Sequence, residues 1–585
     1  MAERLQLDSQ SLRKRHAKTY ANFFIGNDLV VSACCVLAIG TAIGHRSRHI
    51  RTIAKLPIRF YVGLRKTRTP GEARFGNVST FSSAQEAFET YPYAKAITEH
   101  GAVSNRISEF LREKRADFGV EISILGETAR GHGIGFSGTT SAAISQALHL
   151  MCGLPVESVG KGETNHAGSV FRLALELDFL GRHGNTFGDN VSLSLSDAGL
   201  GLHWSQSFAN DISLENLREV KIGATYLNRD GKRLGLSDLP IDACVVFSGL
   251  PTKTENIEYG ARADLAWMEE CMETVKNGVF PDGTPREAAV ASLFRKDVAF
   301  EGVVTAHAVV NAQTAAHVLR LARDPFDRQA IADLLENVDH HRALLAIAER
   351  HSPFAGDLHR ALSARSEGGR AIGVIPCYTG KLGGAYAVIS ESGSHRTAIT
   401  EAIHELRMSY PEIAVEYANW EDGDSSSGPK IESWPEMGVL ADEIPHDAAI
   451  FLDNRGNRYL GDYGEILKNE QDCLLLDAVE MKLTYCGTKP TSKDIPSQSV
   501  AVEVLSRILR GDGKEIHNTS LPASSYSKDR GLLVSKSLSP LCAFVKTISG
   551  KELHISCSGI GSKFTVLLGK TDVRIGLVYR ESGGL

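Results

Sequence analysis

Between Gly131 and Gly138 the chain reads GHGIGFSG and runs directly into TTSAAISQALHLMCG, the stretch that most restricts its fold. Glycines at 131, 133, 135 and 138 leave backbone N–H groups uncovered. Ser137, Thr139 and Thr140 add hydroxyls, and the small residues that follow favour a helix. A glycine loop entering a helix is an anion site, because unpaired amides and the helix dipole both attract phosphate. It is not a Walker A loop, since no Gly-Lys-Ser/Thr follows. Nor is it a dinucleotide fingerprint, since no acidic residue follows a clear strand–helix–strand unit. The bland alternative is a structural turn with no ligand.

The rest of the chain sets the context for that loop. Its 585 residues imply two or three domains, and 42% hydrophobic with 23% charged residues excludes a disordered or fibrous chain. Ten cysteines without a Cys-x-x-Cys pair or a Cys/His framework read as reduced thiols, which places the chain in the cytoplasm. The apolar run 29–43 follows a basic segment but falls short of the ~20 residues a bilayer requires. It reads as a buried strand, and no membrane role is expected.

Along the sequence, residues 1–16 are polar and expected to be flexible. NFFIG, PIRFYVGL and VEISIL read as strands around a helix over 94–114. Helices are expected over the stretch after Gly138 and over 168–180, followed by a second glycine loop, RHGNTFGDN. DACVVFS reads as a strand, several helices fall between 257 and 364, and GVIPCYTGKLGGAYAVIS reads as two strands joined by a glycine turn. The stretch 421–438 has the composition of a linker. Beyond it come a hairpin around Asn454-Arg455-Gly456, helices over 473–482 and 498–509, and a final hairpin of KELHIS and KFTVLL.

Five segments, in order, resemble the motifs of the GHMP small-molecule kinases (galactokinase, homoserine, mevalonate and phosphomevalonate kinases). The loop GHGIGFSGTTSAA is similar to that family's phosphate-binding loop. AKTYANFFIGNDLVVSACCVLAI resembles the first motif, and its YAN start resembles the related diphosphomevalonate decarboxylases. GNTFGDNVSLSLSDAG is similar to the stretch that carries the catalytic aspartate. VVFSGLPTKTENI and YTGKLGGAYAVIS resemble the later strand–turn and glycine-loop motifs. Together they cover roughly residues 17–395.

The resemblance implies an α+β fold. Its GHMP core would have a ribosomal protein S5 domain 2-like N-terminal half (17–215) and a ferredoxin-like C-terminal half (216–420). It also implies ATP- and Mg²⁺-dependent phosphorylation of a hydroxyl on a small metabolite, mevalonate-like or a sugar. Gly131, Gly133, Gly135, Ser137, Gly138, Thr139 and Thr140 would hold the ATP phosphates. Glu176 or Asp178 would bind metal with the Thr139 hydroxyl, and the sequence does not choose between the two carboxylates. Asp189 would orient or deprotonate the acceptor hydroxyl, with Lys18 standing in for a family lysine whose place is taken by Ala21 or Asn22. Asn22, Asn27, Asn190, Gly380, Gly383 and Gly384 would line the substrate site. A homodimer remains open. A catalytically weak metabolite sensor and a GHMP-related decarboxylase are the alternatives.

The surplus length at the C-terminus carries the opposite charge to the rest. Residues 487–585 hold 14 Lys+Arg against 8 Asp+Glu, a net of +6, whereas the first 486 hold 50 against 62. The order hairpin, helices, hairpin over 439–585 resembles the winged-helix domain of OmpR-type response regulators. That resemblance implies a DNA or protein partner, with Lys528, Arg530 and Lys536 on the recognition helix.

Overall fold

In a computed structural model of the chain, the described residues are 20, 23–24, 26–39, 49–80, 101–127, 135–156, 168–181, 188–205, 217, 222–247, 309–347, 353–365, 372–376, 385–391, 396–410, 413–416, 428–432, 448–453, 458–477, 482–487, 490–494, 516–517, 539, 542–553, 555–558, 563–568 and 573–579. They fall into two compact units. One holds Met1–Leu12 and Leu29–Glu432, the other Arg13–Asp28 and Ser433–Leu585. Among the described residues no helix is long and apolar enough to cross a membrane.

The first unit is built on a seven-stranded sheet. Its strands are β1 (Leu29–Ile39), β2 (His49–Thr67), β3 (Ala73–Thr80), β4 (Gly119–Gly126), β5 (Leu200–Ser205) and β6 (Ile222–Tyr226), with one edge strand supplied from much later in the chain. The apolar run at 29–39 is thus a buried strand. Within NFFIG, expected as a strand, Phe23 and Phe24 are helical and group with the second unit. Three helices cover part of the sheet: α1 (Ala102–Glu113), α2 (Phe136–Met151) and α3 (Ser169–Gly181). Ile107, Leu111, Ala143, Ile144, Leu148, Leu173 and Leu177 pack on Val31, Val62, Leu64, Ile122 and Ile124. Each fully buried aliphatic side chain of this kind contributes about 1.5–3 kcal/mol.

A short helix, α4 (Asp189–Leu195), follows the second glycine loop. After it, β7 (Ile241–Phe247) opens a four-stranded antiparallel sheet. Helices over 309–323 (α5), Arg328–Ile347 (α6), Pro353–Ser363 (α7) and Arg396–Leu406 (α8) accompany its other strands. Those are β8 (Ile372–Pro376), β9 (Ala385–Glu391) and β10 (Ala414–Glu416), in the order β8-β9-β7-β10. The two faces separate by strand alternation. Cys244, Val246, Tyr386 and Val388 meet α7 and α8, whereas Val245, Ala387 and Ile389 join a core with α5, α6 and the first sheet. β8 and β9 are the two strands expected around the YTGKLGG turn; that turn, with Gly380, Gly383 and Gly384, lies outside the described residues.

Within the expected linker, Lys430–Glu432 forms β11, which pairs antiparallel with β1 and completes the first sheet. Composition concealed it because a three-residue edge strand needs no apolar period; Ser32 donates to Glu432 at 2.6 Å instead.

The second unit carries a six-stranded sheet. Its strands are β12 (Ala448–Asp453), β13 (Arg458–Asp462), β14 (Cys473–Asp477), β15 (Lys482–Cys486) and β16 (Thr491–Asp494), with a last strand near the C-terminus. A short helix, α9 (Tyr463–Asn469), follows β13. A small sheet joins β17 (Ile516–His517), β18 (Ile555–Ser558) and β19 (Lys563–Leu568), and β20 (Arg574–Tyr579) lies parallel to β14. Both expected hairpins form. The helix expected over 473–482 is not found: Cys473–Asp477 is strand β14 and Lys482 opens β15. CLLLD is a short continuous apolar run, which periodicity cannot assign to helix or strand. Lys528, Arg530, Lys536 and the helix expected over 498–509 lie outside the described residues.

Candidate functional site

The chemistry-bearing motifs of the first unit meet where α2 and α4 begin. Gly135 precedes α2 at φ 75°, the left-handed region that favours glycine, and a Cβ there would stand 3.1 Å from the Val36 carbonyl oxygen. At Gly138 a Cβ would come within 2.5 Å of Asn190 Cβ and 3.0 Å of Val191 N. Bare backbone at this position therefore lets the first turn of α2 seat against the first turn of α4. Two helix starts some fifty residues apart in sequence thereby come together.

Around that contact the hydroxyls divide. Ser137 Oγ donates to Asp178 Oδ1 at 2.5 Å. Thr139 is turned into the interior, 3.3 Å from the Cys34 carbonyl and 3.2 Å from Ser194 Oγ. Thr140 bonds back along its own helix, to the carbonyls of Phe136 at 2.8 Å and Ser137 at 3.1 Å. Ser137 is therefore the hydroxyl on the carboxylate side, and Thr139, expected with the metal, points elsewhere.

The two carboxylates of α3 part in the same way. Asp178 is buried against Ser137, whereas Glu176 accepts from Arg106 Nε of α1 at 2.6 Å. Two residues apart on a helix they lie on different faces: Asp178 meets Ser137 in the first turn of α2, and Glu176 meets α1. Among the described residues no group of three or more His, Cys, Asp or Glu gathers as a metal cage.

Asp189 opens α4 and is 1% exposed. Arg51 Nη1 of β2 stands 2.5 Å from its Oδ2, and the Asn190 amide donates to Oδ1 at 2.9 Å. Burial alone would push this carboxyl up. The Arg51 guanidinium, then His203, and the hydrogen bonds from Arg51 and Asn190 outweigh it and hold the group below the ordinary carboxylate range. Arg51 and His203 are direct cross-strand partners of β2 and β5, so the sheet itself sets this pair of basic groups by the aspartate.

Arg51 begins a row of basic residues that the sequence motifs do not include. Arg51, Lys55 and Arg59 are all buried on β2. Lys55 Nζ donates to the Ser196 carbonyl at 2.7 Å, just past α4. Arg59 donates from Nε to Ser32 Oγ at 2.9 Å and from Nη1 to Cys34 Sγ at 3.0 Å. Burial lowers the Lys55 ammonium to about 8; Arg59 adds to that lowering, and Cys34 and Asp197 oppose it. The register passes from Cys34↔Arg59 to Val36↔Lys55 across a bulge. Basic residues four apart inside an apolar strand were the signal for them in the sequence.

Of the remaining expected residues, Asn190 sits beside Gly135 and Gly138 with its Oδ1 buried and without a hydrogen-bond partner among the described residues. Asn27 groups with the second unit and donates to the Phe23 carbonyl at 2.6 Å. Lys18, Asn22, Gly131 and Gly133 lie outside the described residues.

No family model and no curated protein matches this sequence. Among solved structures, the chain is similar to the L. major mevalonate kinase in complex with R-mevalonate, at 14% identity and a TM-score of 0.40, over 66% of this chain and 93% of that one. It is similar to the homoserine kinase of Cytophaga hutchinsonii at 15% identity and a TM-score of 0.38, over 69% and 97%. It is also similar to Lactococcus lactis galactokinase complexed with galactose, at 12% identity and a TM-score of 0.44, over 69% and 94%. These neighbours are GHMP-type kinases.

Proposed function

We propose that this chain is a small-molecule kinase of the GHMP type, transferring the γ-phosphoryl group of ATP to a hydroxyl of a small metabolite with Mg²⁺. Its main support is the seating of α2 on α4, which gathers the glycine loop's helix, Ser137, Asp178 and Asp189 at one place. Phosphoryl transfer needs phosphates held, charge neutralised and the acceptor positioned, and this grouping offers a residue for each role.

The residues present fit both implied ligands. Gly135 and Gly138 let Val36, Asn190 and Val191 pack against the start of α2, whose first-turn amides would face an anion bound there. Ser137 and Asp178 offer hard oxygen donors of the kind Mg²⁺ takes alongside phosphate oxygens and water. Bound there, Mg²⁺ would supply charge neutralisation on the phosphates. Asp189, held ionised by Arg51, would accept a hydrogen bond from the acceptor hydroxyl and orient or deprotonate it, as its oxygen bonds the γ-phosphorus and the bridging P–O bond to ADP breaks. Arg51 keeps the carboxylate in place, and Asn190 lines the same turn.

Purified full-length protein incubated with ATP, Mg²⁺ and a panel of hydroxylated metabolites tests this reading, with ADP release and product mass as readouts. Turnover with at least one sugar or mevalonate-like alcohol is expected, and Asp189→Ala is expected to abolish it while retaining nucleotide binding. Failure to bind ATP, or undiminished turnover in Asp189→Ala, would reject it.

A further inference from the structure

In the second unit, Cys473 and Cys486 are directly opposed partners on the antiparallel strands β14 and β15. Directly opposed residues point to the same sheet face, and both thiols lie in one apolar cluster with Phe451, Ile466 and Leu475, fully buried. Opposed residues on antiparallel strands have Cα atoms about 4.5 or 5.5 Å apart. Both values fall inside the ~4.4–6.8 Å window of a disulfide. The Cβ atoms of such a pair are about 4.5–5.5 Å apart and must close slightly, to ~4 Å, for bonding. Cys473 is the first residue of β14 and Cys486 the last of β15, so the pair sits at the open end of the hairpin, away from its turn.

That end is already clamped by polar contacts. Tyr485 Oη donates to Asp472 Oδ1 at 3.0 Å, and Lys551 Nζ holds Asp472 Oδ2 at 2.6 Å. The residues flanking the two thiols are thus fixed in register on either strand.

We propose that Cys473 and Cys486 are a redox modification site, at which a hydroperoxide oxidises the pair to a disulfide that closes the open end of the β14–β15 hairpin. One thiolate attacks the peroxide oxygen and becomes a sulfenic acid, releasing hydroxide or alkoxide. The second sulfur displaces water from it and forms the S–S bond. For hydrogen peroxide the sum is two thiols and one peroxide giving one disulfide and two waters, with sulfur oxidised and oxygen reduced. Burial, then the Glu470 carboxylate, pushes the Cys486 thiol up to about 12, against the smaller opposing effect of Arg574. Cys486 is therefore mostly thiol at neutral pH, and the modification is a slow record of peroxide exposure, not a turnover step. The bond would tie β15 to β14, the strand that runs parallel to β20 in the same sheet.

The test uses the full-length protein, exposed to hydrogen peroxide, denatured in an alkylating agent and digested with trypsin without reduction. Cleavage after Lys482 separates the two cysteines. The expected product is a linked pair of peptides, two hydrogens lighter than their sum, with matching loss of both alkylated thiols and full reversal by dithiothreitol. Cys486→Ala and Cys473→Ala should each abolish the linked species. Recovery of both peptides as separate alkylated thiols, accumulation of sulfinic acid on either residue, or linkage of either to a different cysteine would overturn the proposal. The first arm needs no variant, so a variant that fails to fold leaves the result decisive.

Discussion

Arg51 and Asp189, 138 residues apart in sequence, meet as a buried ion pair with Nη1 2.5 Å from Oδ2, each side chain almost wholly removed from solvent. Neither could be buried alone. A single charge left in such a site costs about 3–5 kcal/mol when its partner is removed. The pair therefore ties the start of α4 to β2 as well as setting the charge of the aspartate.

Asp189→Asn should lower turnover by about 10²–10⁴-fold, with ATP affinity little changed, as read by steady-state kinetics beside nucleotide titration. The same variant has a stability signature. Because the folded carboxyl lies below its unfolded value, its contribution is fully present above pH ~4 and is lost as pH falls through the folded value. Thermal midpoints of the parent should therefore fall more steeply in acid than those of Asp189→Asn. Equal acid slopes would contradict the depressed carboxyl.

Lys55 gives a slope of the same sign at the other end of the scale. Its folded value near 8 lies below the 10.5 of the free side chain, so the unfolded chain binds more protons between the two. Stability should then rise with pH through that window and level off above it. Lys55→Met removes the titrating group, and its thermal midpoint should be flat from pH 8 to 10. At pH 7 it should gain on the order of 1–3 kcal/mol, the burial cost of the ammonium less its bond to the Ser196 carbonyl. A midpoint that still climbs in the variant would assign the effect to another group.

What could be read from the sequence here was whatever rested on local chemistry. The glycine turn before α2, the helix of α3 and the two strands of β8–β9 announced themselves by turn residues and periodicity. Arg51, Lys55 and His203 did not, because a charged residue in a strand usually reads as a solvated face and only the β2–β5 register brings Arg51 beside His203. Glu176 and Asp178 were legible as alternatives, but the choice between them was not; it depends on Arg106, a partner 70 residues earlier. CLLLD failed for another reason, since its neighbours in the sheet, not its own pattern, make it a strand.

The two α3 carboxylates make separable predictions. Asp178→Asn keeps the volume and a bond to Ser137 but loses the charge, so the Mg²⁺ concentration for half-maximal turnover should rise at least tenfold, a loss of about 1.4 kcal/mol. Glu176→Gln should leave that concentration unchanged. It should instead lower the thermal midpoint, because the mostly buried Arg106 loses its closest carboxylate. Magnesium titrations and melting curves on both variants check the assignment, and a swapped pattern would place the metal on Glu176.

Gly138→Ala tests the seating of α2 on α4 most directly. The added methyl would meet Asn190 Cβ at 2.5 Å and Val191 N at 3.0 Å, contacts that backbone and branch atoms cannot yield without moving a helix. Overpacking of this kind costs about 1–3 kcal/mol. Because the displaced turn carries Asp189 and Asn190, turnover should fall by more than the lost stability explains, even well below the melting temperature. Gly153→Ala is the matched control. It also has a positive φ, 66°, but meets nothing within 4 Å, so it should lose roughly 1–2 kcal/mol of stability and keep its kinetics. If Gly138→Ala melts like Gly153→Ala and turns over like the parent, the two helix starts do not form one site.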